Sequence, residues 1–449
     1  MMWFSLILGN QLCCLPLSST RMDYTRFMTD VTKNRKATLL RDLFNLQQQG
    51  RDDWIYVIAG LPNESFFPLK EGQFTMADGT KIILDKNTMK ECLQYGPSGG
   101  YPPLVKQLEA MVKKHHNPPR WSERKLMTIN GIQDGLAATV TMMMNERDFV
   151  LLAKPTYSTY LSLIQPYSPR ILAIETDENG LIPGSLKGAL SRWNPKEMSK
   201  AHKDVPKFLY MNPTGNNPTG TVLSADRRRE IYDICCQYNL IIIEDDPYYF
   251  EQYTSEAYPP TFLELDTECR VIRLDSFSKT IGGGLRIGYA IGPKSLIEKL
   301  IFYQQVTTQH VSSLSQITLH QILNVWGEDG YEQHVEKVKE FYWKKRDDVV
   351  ACAEKHLSEL CEWNVPGGGL FMWIKVKNIP DVWDMLMKRA AAKKVVLVPG
   401  NGSMPDSSSP CPYVRVAFSH TPTEKIEEAF RRFAELIREE MSINKSTKG

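Results

Sequence analysis

The chain has 449 residues, with apolar and charged fractions of 42% and 24%, enough for two ordinary globular domains, each with its own core. Its 54 basic against 52 acidic residues leave a net charge of +2, which gives no reason to expect a nucleic-acid or membrane partner. The nine cysteines have neither zinc spacing nor a dense secretory framework, and the eight histidines form no HExxH cluster, so no metal is expected.

Residues 1–17 are mostly apolar and uncharged, and the first positive charge is Arg21. They lack the basic start of a secretory signal and the repeated arginines of a transit peptide, and they are short for a membrane span. Two readings stay open: a targeting segment, or a non-structural extension ahead of a start at Met22. Basic runs at 113–116 and 227–229 have acidic and apolar neighbours and read as solvated helix faces.

The middle of the chain alternates short apolar runs (149–153, 208–211, 240–244 and 270–274) with helical patterns, which predicts an α/β fold with a mainly parallel sheet. From about Glu328 the pattern changes to a long charged helix at 332–355. Strands follow at 370–376, 395–398 and 413–418. In the last helix, Thr421 is the expected N-cap, Pro422 the first helical residue and Glu424 the far side of a capping box. Ile426, Ala429, Phe430, Phe433 and Ile437 then make one apolar stripe.

Chemistry concentrates just after the apolar runs. In DSFSKTIGGGLRIG, a strand is followed by Ser276, Ser278, Lys279, a glycine trio and Arg286. Hydroxyls, loop amides and an arginine suit a phosphate cradle, and a lysine inside it is placed to condense with an aldehyde that the phosphate tethers. The competing reading is a surface loop with an incidental lysine. In LIIIEDDPYYF a strand ends in acids, which are costly when buried unless paired. Asp245 could pair a pyridinium nitrogen and Tyr248 reach a ring hydroxyl, or the segment is a solvated turn.

FLYMNPTGNNPTG demands a specific turn, from which Asn217 could donate its amide to a ring oxygen; a purely structural turn is the alternative. Ile132 and Gln133 open a helix whose free amides favour a phosphate, and Tyr157 follows a strand in KPTY with a ring able to stack on a flat heterocycle. Each of these two, taken alone, is more often structural. Arg415 interrupts the strand PYVRVAF, and spacing alone favours its polar face over a fork for a carboxylate.

Together and in this order the segments resemble the fold-type I, class I/II aminotransferases, over nearly the whole chain from Met22. Within that family the closest resemblance is to the kynurenine/2-aminoadipate aminotransferase subgroup. It is carried by IAGLPNESFFPL, QYGPSGGYPPL, EDDPYYF, DSFSK, VPGNG and SSSPCPYVRVAFS. The resemblance implies pyridoxal 5′-phosphate as cofactor, held on Lys279 as a Schiff base, with Arg286 on its phosphate. It implies Asp245 on the pyridine nitrogen, Tyr248 and Asn217 on the ring oxygen, Tyr157 stacked on the ring, and Arg415 on the substrate carboxylate. This reverses the reading of Arg415 from spacing alone. Arg41 and Gly60 would border the substrate, and Tyr95 would reach across a homodimer with shared sites.

The domains implied are an extension (1–21), an arm and part of a small domain (22–72), a large cofactor-binding domain (73–327) and a C-terminal small α+β domain (328–449). The expected activity is ping-pong transfer of an amino group from 2-aminoadipate, kynurenine or an aromatic amino acid to a 2-oxo acid such as 2-oxoglutarate. The alternative is β-lyase action on cysteine conjugates. Relatives occur in mitochondria and cytoplasm, and the resemblance leans to the mitochondrion. The chain departs from the family pattern at Ile132, Gly282 and Gly283, where relatives carry serine, at Lys154, where they carry an acid, and in the loop after Gly400.

Overall fold

The computed structural model describes residues 22–39, 55, 57–58, 60–198 and 204–448. A hairpin of β1 (Gly72–Thr75) and β2 (Lys81–Leu84) leads into the large sheet. Its strands are β3 (Arg124–Ile129), β4 (Phe149–Lys154), β5 (Arg170–Asp177), β6 (Gly180–Leu181), β7 (Phe208–Met211), β8 (Ile241–Asp245), β9 (Val271–Ser276) and β10 (Gly288–Pro293). They lie in the order β3-β10-β9-β8-β7-β4-β5-β6. From β9 through β8, β7 and β4 to β5 every pairing is parallel, whereas β10 runs antiparallel to both of its neighbours.

Both faces of this sheet are covered, which is why its strands read as unbroken apolar runs rather than alternating ones. Successive side chains still point to opposite faces. Leu151, Leu209, Ile242 and Val271 pack into one core, while Leu152, Tyr210, Ile243 and Ile272 pack into the other. The expected runs at 240–244 and 270–274 become strands that start one residue later and end one and two residues later, because Asp245 and Asp275 still pair with the neighbouring strands.

The second sheet is antiparallel, in the order β11 (Cys361–Trp363), β12 (Phe371–Val376), β14 (Tyr413–Ala417) and β13 (Val398–Pro399). Among helices, α1 (Ile132–Met143) follows β3 in the large part, and α2 (Ser313–Leu357) connects the two cores. Inside α2 Gly327 leaves helical geometry, with φ 68° and ψ −164°, a conformation that glycine adopts without steric cost. Tyr331 and Val335 still pack into the large core, and Tyr342 and Trp343 pack against the small one.

α3 (Thr423–Lys448) covers the small sheet with Ile426, Phe430, Phe433 and Ile437, the expected stripe. It begins one residue later than the capping pattern suggests. The Pro422 carbonyl, not that of Thr421, accepts the first turn's amides from Lys425 and Ile426.

The basic runs are solvated faces only in part: Lys113, Lys114 and Arg229 are exposed, but their neighbours are not. Arg228 is 0% exposed, donating to the Leu223 carbonyl at 2.9 Å and to Thr214 Oγ1 at 3.0 Å, and His116 is buried as well. Arg227 forks onto both oxygens of Asp177 at 2.6 Å. The charge count could not reveal this, because the partners come from distant loops.

Candidate active site

In open α/β sheets ligands bind beyond the carboxyl ends of the parallel strands. Here the segments after β4, β7, β8 and β9, the start of α1, and strands β12 and β14 of the small sheet surround a cavity of about 470 Å³. It is lined by Ile132, Gln133, Tyr157, Asn217, Asp245, Tyr248, Ser276, Ser278, Lys279, Arg286 and Arg415, all singled out from the sequence. Asn212, Pro247 and Phe371 also line it, and the sequence reading missed them, whereas Gly283, another lining residue, is one of the departures from the family pattern. Gly60 and Tyr95 do not line this cavity of their own chain. Tyr95 is 49% exposed and stands edge-on to His310. Arg41 lies outside the described residues.

The acid at the end of β8 is fixed from two sides. Tyr210, on adjacent β7, donates its hydroxyl to Asp245 Oδ2 at 2.7 Å, and Asn212 donates to the Asp245 carbonyl at 2.6 Å. Oδ1 of the same carboxylate is buried and has no partner among the described residues. Burial pushes this carboxyl up to about 7; the Tyr210 hydrogen bond opposes the rise, and Asp246 and Asp275 reinforce it.

Behind it, fully buried Arg273 grips Asp246 and Asp275 at 2.7 Å each and Glu244 at 3.3 Å. One guanidinium thus satisfies the acids flanking Asp245 and the one ahead of Ser276. Asp245 is left facing the cavity.

Asn212 also organises the next turn, accepting the Asn217 amide on Oδ1 at 2.8 Å. Asn217 Oδ1 in turn accepts from Arg415 Nη1 at 3.0 Å, joining the large part to β14. Arg415 lies 4.7 Å over the Phe371 ring, and its buried Nε has no partner among the described residues. Burial pulls its guanidinium below the usual range.

The lysine loop leaves β9 through linked hydroxyls, Ser276 Oγ donating to Ser278 Oγ at 2.8 Å. A tight turn (Ser278–Gly282) then presents Lys279, whose ammonium lies 5.8 Å from the Tyr248 ring centroid. Burial lowers the Lys279 amine, and Glu251 is the strongest charge opposing that shift. Arg286 reaches across to the Asn130 carbonyl at 3.0 Å. It can do so because Gly131 (φ 76°) has no Cβ; a Cβ there would meet Arg286 Nη2 at 2.6 Å. The first amides of α1, the Ser276–Ser278 hydroxyls and Arg286 therefore border one polar, positively biased recess.

The class I and II aminotransferase family model matches residues 63–433. This chain belongs to that family. It is 41% identical over 426 residues to the bovine (Bos taurus) mitochondrial kynurenine/alpha-aminoadipate aminotransferase, covering 94% of this chain and 100% of the relative. Among solved structures, the aminotransferase Aro8 from Candida albicans superposes with a TM-score of 0.82 at 25% identity, covering 94% of this chain and 99% of that one. A Pyrococcus horikoshii kynurenine aminotransferase solved in complex with PMP gives 0.73 at 28%, covering 93% and 98%. The chain is a transaminase of the α/β, fold-type I class, and pyridoxal 5′-phosphate is its cofactor.

The residues present fit that cofactor. A buried carboxylate oxygen without a donor suits a ring nitrogen that carries a proton, and an arginine beside a glycine and two serines suits a phosphate.

Proposed function

We propose that this aminotransferase takes its amino group from 2-aminoadipate, kynurenine or an aromatic amino acid and passes it to a 2-oxo acid such as 2-oxoglutarate. The convergence of Lys279, Asp245 and Arg415 on one cavity carries this reading. Similarity to the mitochondrial kynurenine/alpha-aminoadipate enzyme supports the substrate class, and by the same likeness the mitochondrion is the proposed compartment.

Lys279 would hold the cofactor, Asp245 Oδ1 its ring nitrogen, Tyr248 and Asn217 its ring oxygen, and Tyr157 its face. Arg286, Ser276, Ser278 and the amides of Ile132 and Gln133 would hold its phosphate. When bound, the cofactor supplies an electron sink for the bond breaking at the substrate Cα.

This chain's own residues do the rest. Arg415 holds the α-carboxylate with its two-pronged guanidinium, which fixes Cα beside Lys279. Lys279 Nζ, whose hold on a proton is weakened by burial, takes the Cα proton. Asp245 keeps a negative charge where positive charge must persist, inside a site that excludes most water. The oxo acid leaves, and the acceptor oxo acid reverses the sequence.

The proposal includes a homodimer in which Tyr95, with Arg41 and Gly60, borders the substrate. Exposed Phe66, Leu69, Phe74, Ile83 and Tyr95, all from one stretch of chain, support such a contact.

The test is a single turnover with L-2-aminoadipate and no acceptor. Release of one equivalent of 2-oxo acid per site, with a matching change in cofactor absorbance, is expected. Failure with aminoadipate, kynurenine and aromatic donors alike would overturn the substrate reading. Lys279→Ala should abolish turnover; retention of near-normal turnover removes that lysine from its role.

A further inference from the structure

The turn that presents Lys279 has little packing at its glycine end. A Cβ on Gly282 or Gly284 would meet nothing within 4 Å, and the outer side of the turn borders a recess of about 390 Å³ lined by Lys279, Gly282, His334 and Phe341. The Ile281 and Gly282 amides donate to the Phe277 carbonyl at 2.9 and 3.0 Å, which ties the turn to itself but not to its surroundings. A segment packed so lightly opens easily unless hydrogen bonds fix it to a rigid element.

Two such bonds come from α2. Tyr331 donates its hydroxyl to Thr280 Oγ1 at 3.3 Å, and His334 Nε2 lies 2.6 Å from the Thr280 carbonyl. A carbonyl oxygen only accepts, so the ring proton of this bond is on Nε2. Residues three apart share a helix face, so one face of α2 grips Thr280, the neighbour of Lys279, at its hydroxyl and at its carbonyl. The His334 ring is set in turn by Trp326, stacked on it at 4.7 Å and 23°. Eight residues of straight helix would separate these two by about 12 Å along the axis. The break at Gly327 closes that gap, and Gly330 leaves room for it, since a Cβ there would meet the Trp326 Cβ at 2.6 Å.

We propose that His334 is a positioning residue for Lys279: by donating to the Thr280 carbonyl it holds the lysine turn on α2. His334 does not line the substrate cavity, so it acts through Thr280. The same helix packs Tyr342 and Trp343 against the small core, whose sheet carries Arg415. α2 thus gives a common support to the two groups that must meet one substrate, Lys279 at Cα and Arg415 at the carboxylate. Without the His334 N–H the turn loses its tie beside the open recess, and Nζ spends time in positions from which proton transfer is slow. This rests on Lys279 being the lysine that takes the Cα proton.

Two measurements test it. His334→Phe keeps a ring for Trp326 and removes the N–H, whereas His334→Gln offers an amide N–H where Nε2 stood. In the loaded enzyme, kcat should fall about 10-fold in His334→Phe with KM for the amino donor unchanged, and should recover to within about 3-fold in His334→Gln. In protein stripped of cofactor, amide hydrogen exchange of the peptide spanning 277–285, read by mass spectrometry, should be about 3- to 10-fold faster in His334→Phe and near normal in His334→Gln. Tyr331→Phe, which loses the second bond and keeps its ring, should move both readouts in the same direction, and it carries the test if His334→Phe does not fold. An unchanged kcat, unchanged exchange, or equal losses in the two His334 variants would overturn the proposal. If Lys279→Ala keeps near-normal turnover, the reading of Lys279 itself fails instead.

Discussion

Tyr210 and Asp245 sit on adjacent parallel strands and meet through a 2.7 Å hydrogen bond, with the Tyr210 ring stacked 3.5 Å from that of Tyr160. The bond favours the charged carboxylate and so opposes the effect of burial. In Tyr210→Phe the Asp245 carboxyl should rise further, moving the acid limb of the kcat/KM profile to higher pH. At neutral pH kcat/KM should fall about 10-fold, a charged hydrogen bond being worth about 1.5–3 kcal/mol. A pH–rate series reads this, and an unmoved acid limb would disconnect Asp245 from that limb.

Arg415 carries a different part of the reaction. Its fork should serve the substrate carboxylate without touching the cofactor, so Arg415→Lys should leave cofactor affinity intact. Loss of the planar fork should lower kcat/KM by about 10- to 100-fold. Equilibrium dialysis of cofactor beside steady-state kinetics separates the two effects. Equal losses in both would assign Arg415 to holding the fold together.

Gly131 matters for the side chain it lacks. Gly131→Ala places a Cβ 2.6 Å from Arg286 Nη2 at a φ of 76°, so the guanidinium must move and the start of α1 is strained. Cofactor affinity should weaken about 10-fold or more, as when one charged hydrogen bond is lost. Titration of stripped protein with cofactor measures this directly.

Glu251 should also leave a mark on stability. Its folded carboxyl, at about 8, lies above the ordinary value of 4.5, so the native state binds the extra proton between those limits. Stability from this group is complete below about pH 4.5, declines as pH rises toward 8, and is gone above it. Glu251→Gln should flatten that slope and be the more stable protein at pH 9, by at most on the order of 5 kcal/mol. Urea denaturation across pH, with parallel slopes for the two proteins as the contrary result, decides it.

Much of this site was legible because its chemistry sits in local runs. Each strand-end loop carries its own group (Lys279, Asp245, Asn217, Tyr157), and the parallel sheet brings those ends together. Residues that act through a neighbouring strand were not legible. Tyr210 reads as one more aromatic in FLYM, and its role depends on β7 lying beside β8. Asn212 is indistinguishable in sequence from the other asparagines of its turn, yet it alone of them bonds both Asp245 and Asn217. Arg415 shows the limit from the other side. Spacing alone favours a polar face for one arginine in an apolar strand; the family resemblance reverses that reading, and the approach of β14 to the Asn217 turn supplies the structural reason.

The break in α2 at Gly327 has a consequence for how the enzyme can be damaged. The groups proposed to hold the cofactor hang from the large sheet, Arg415 and Phe371 belong to the small one, and the kinked α2, from Ser313 to Leu357, is common to both cores. A protease nick near Gly327 would touch no residue that meets substrate. It would nonetheless cut the covalent link between the large sheet and Arg415, leaving Tyr331 and Val335, which lie beyond the nick and pack into the large core, to keep Arg415 beside Lys279.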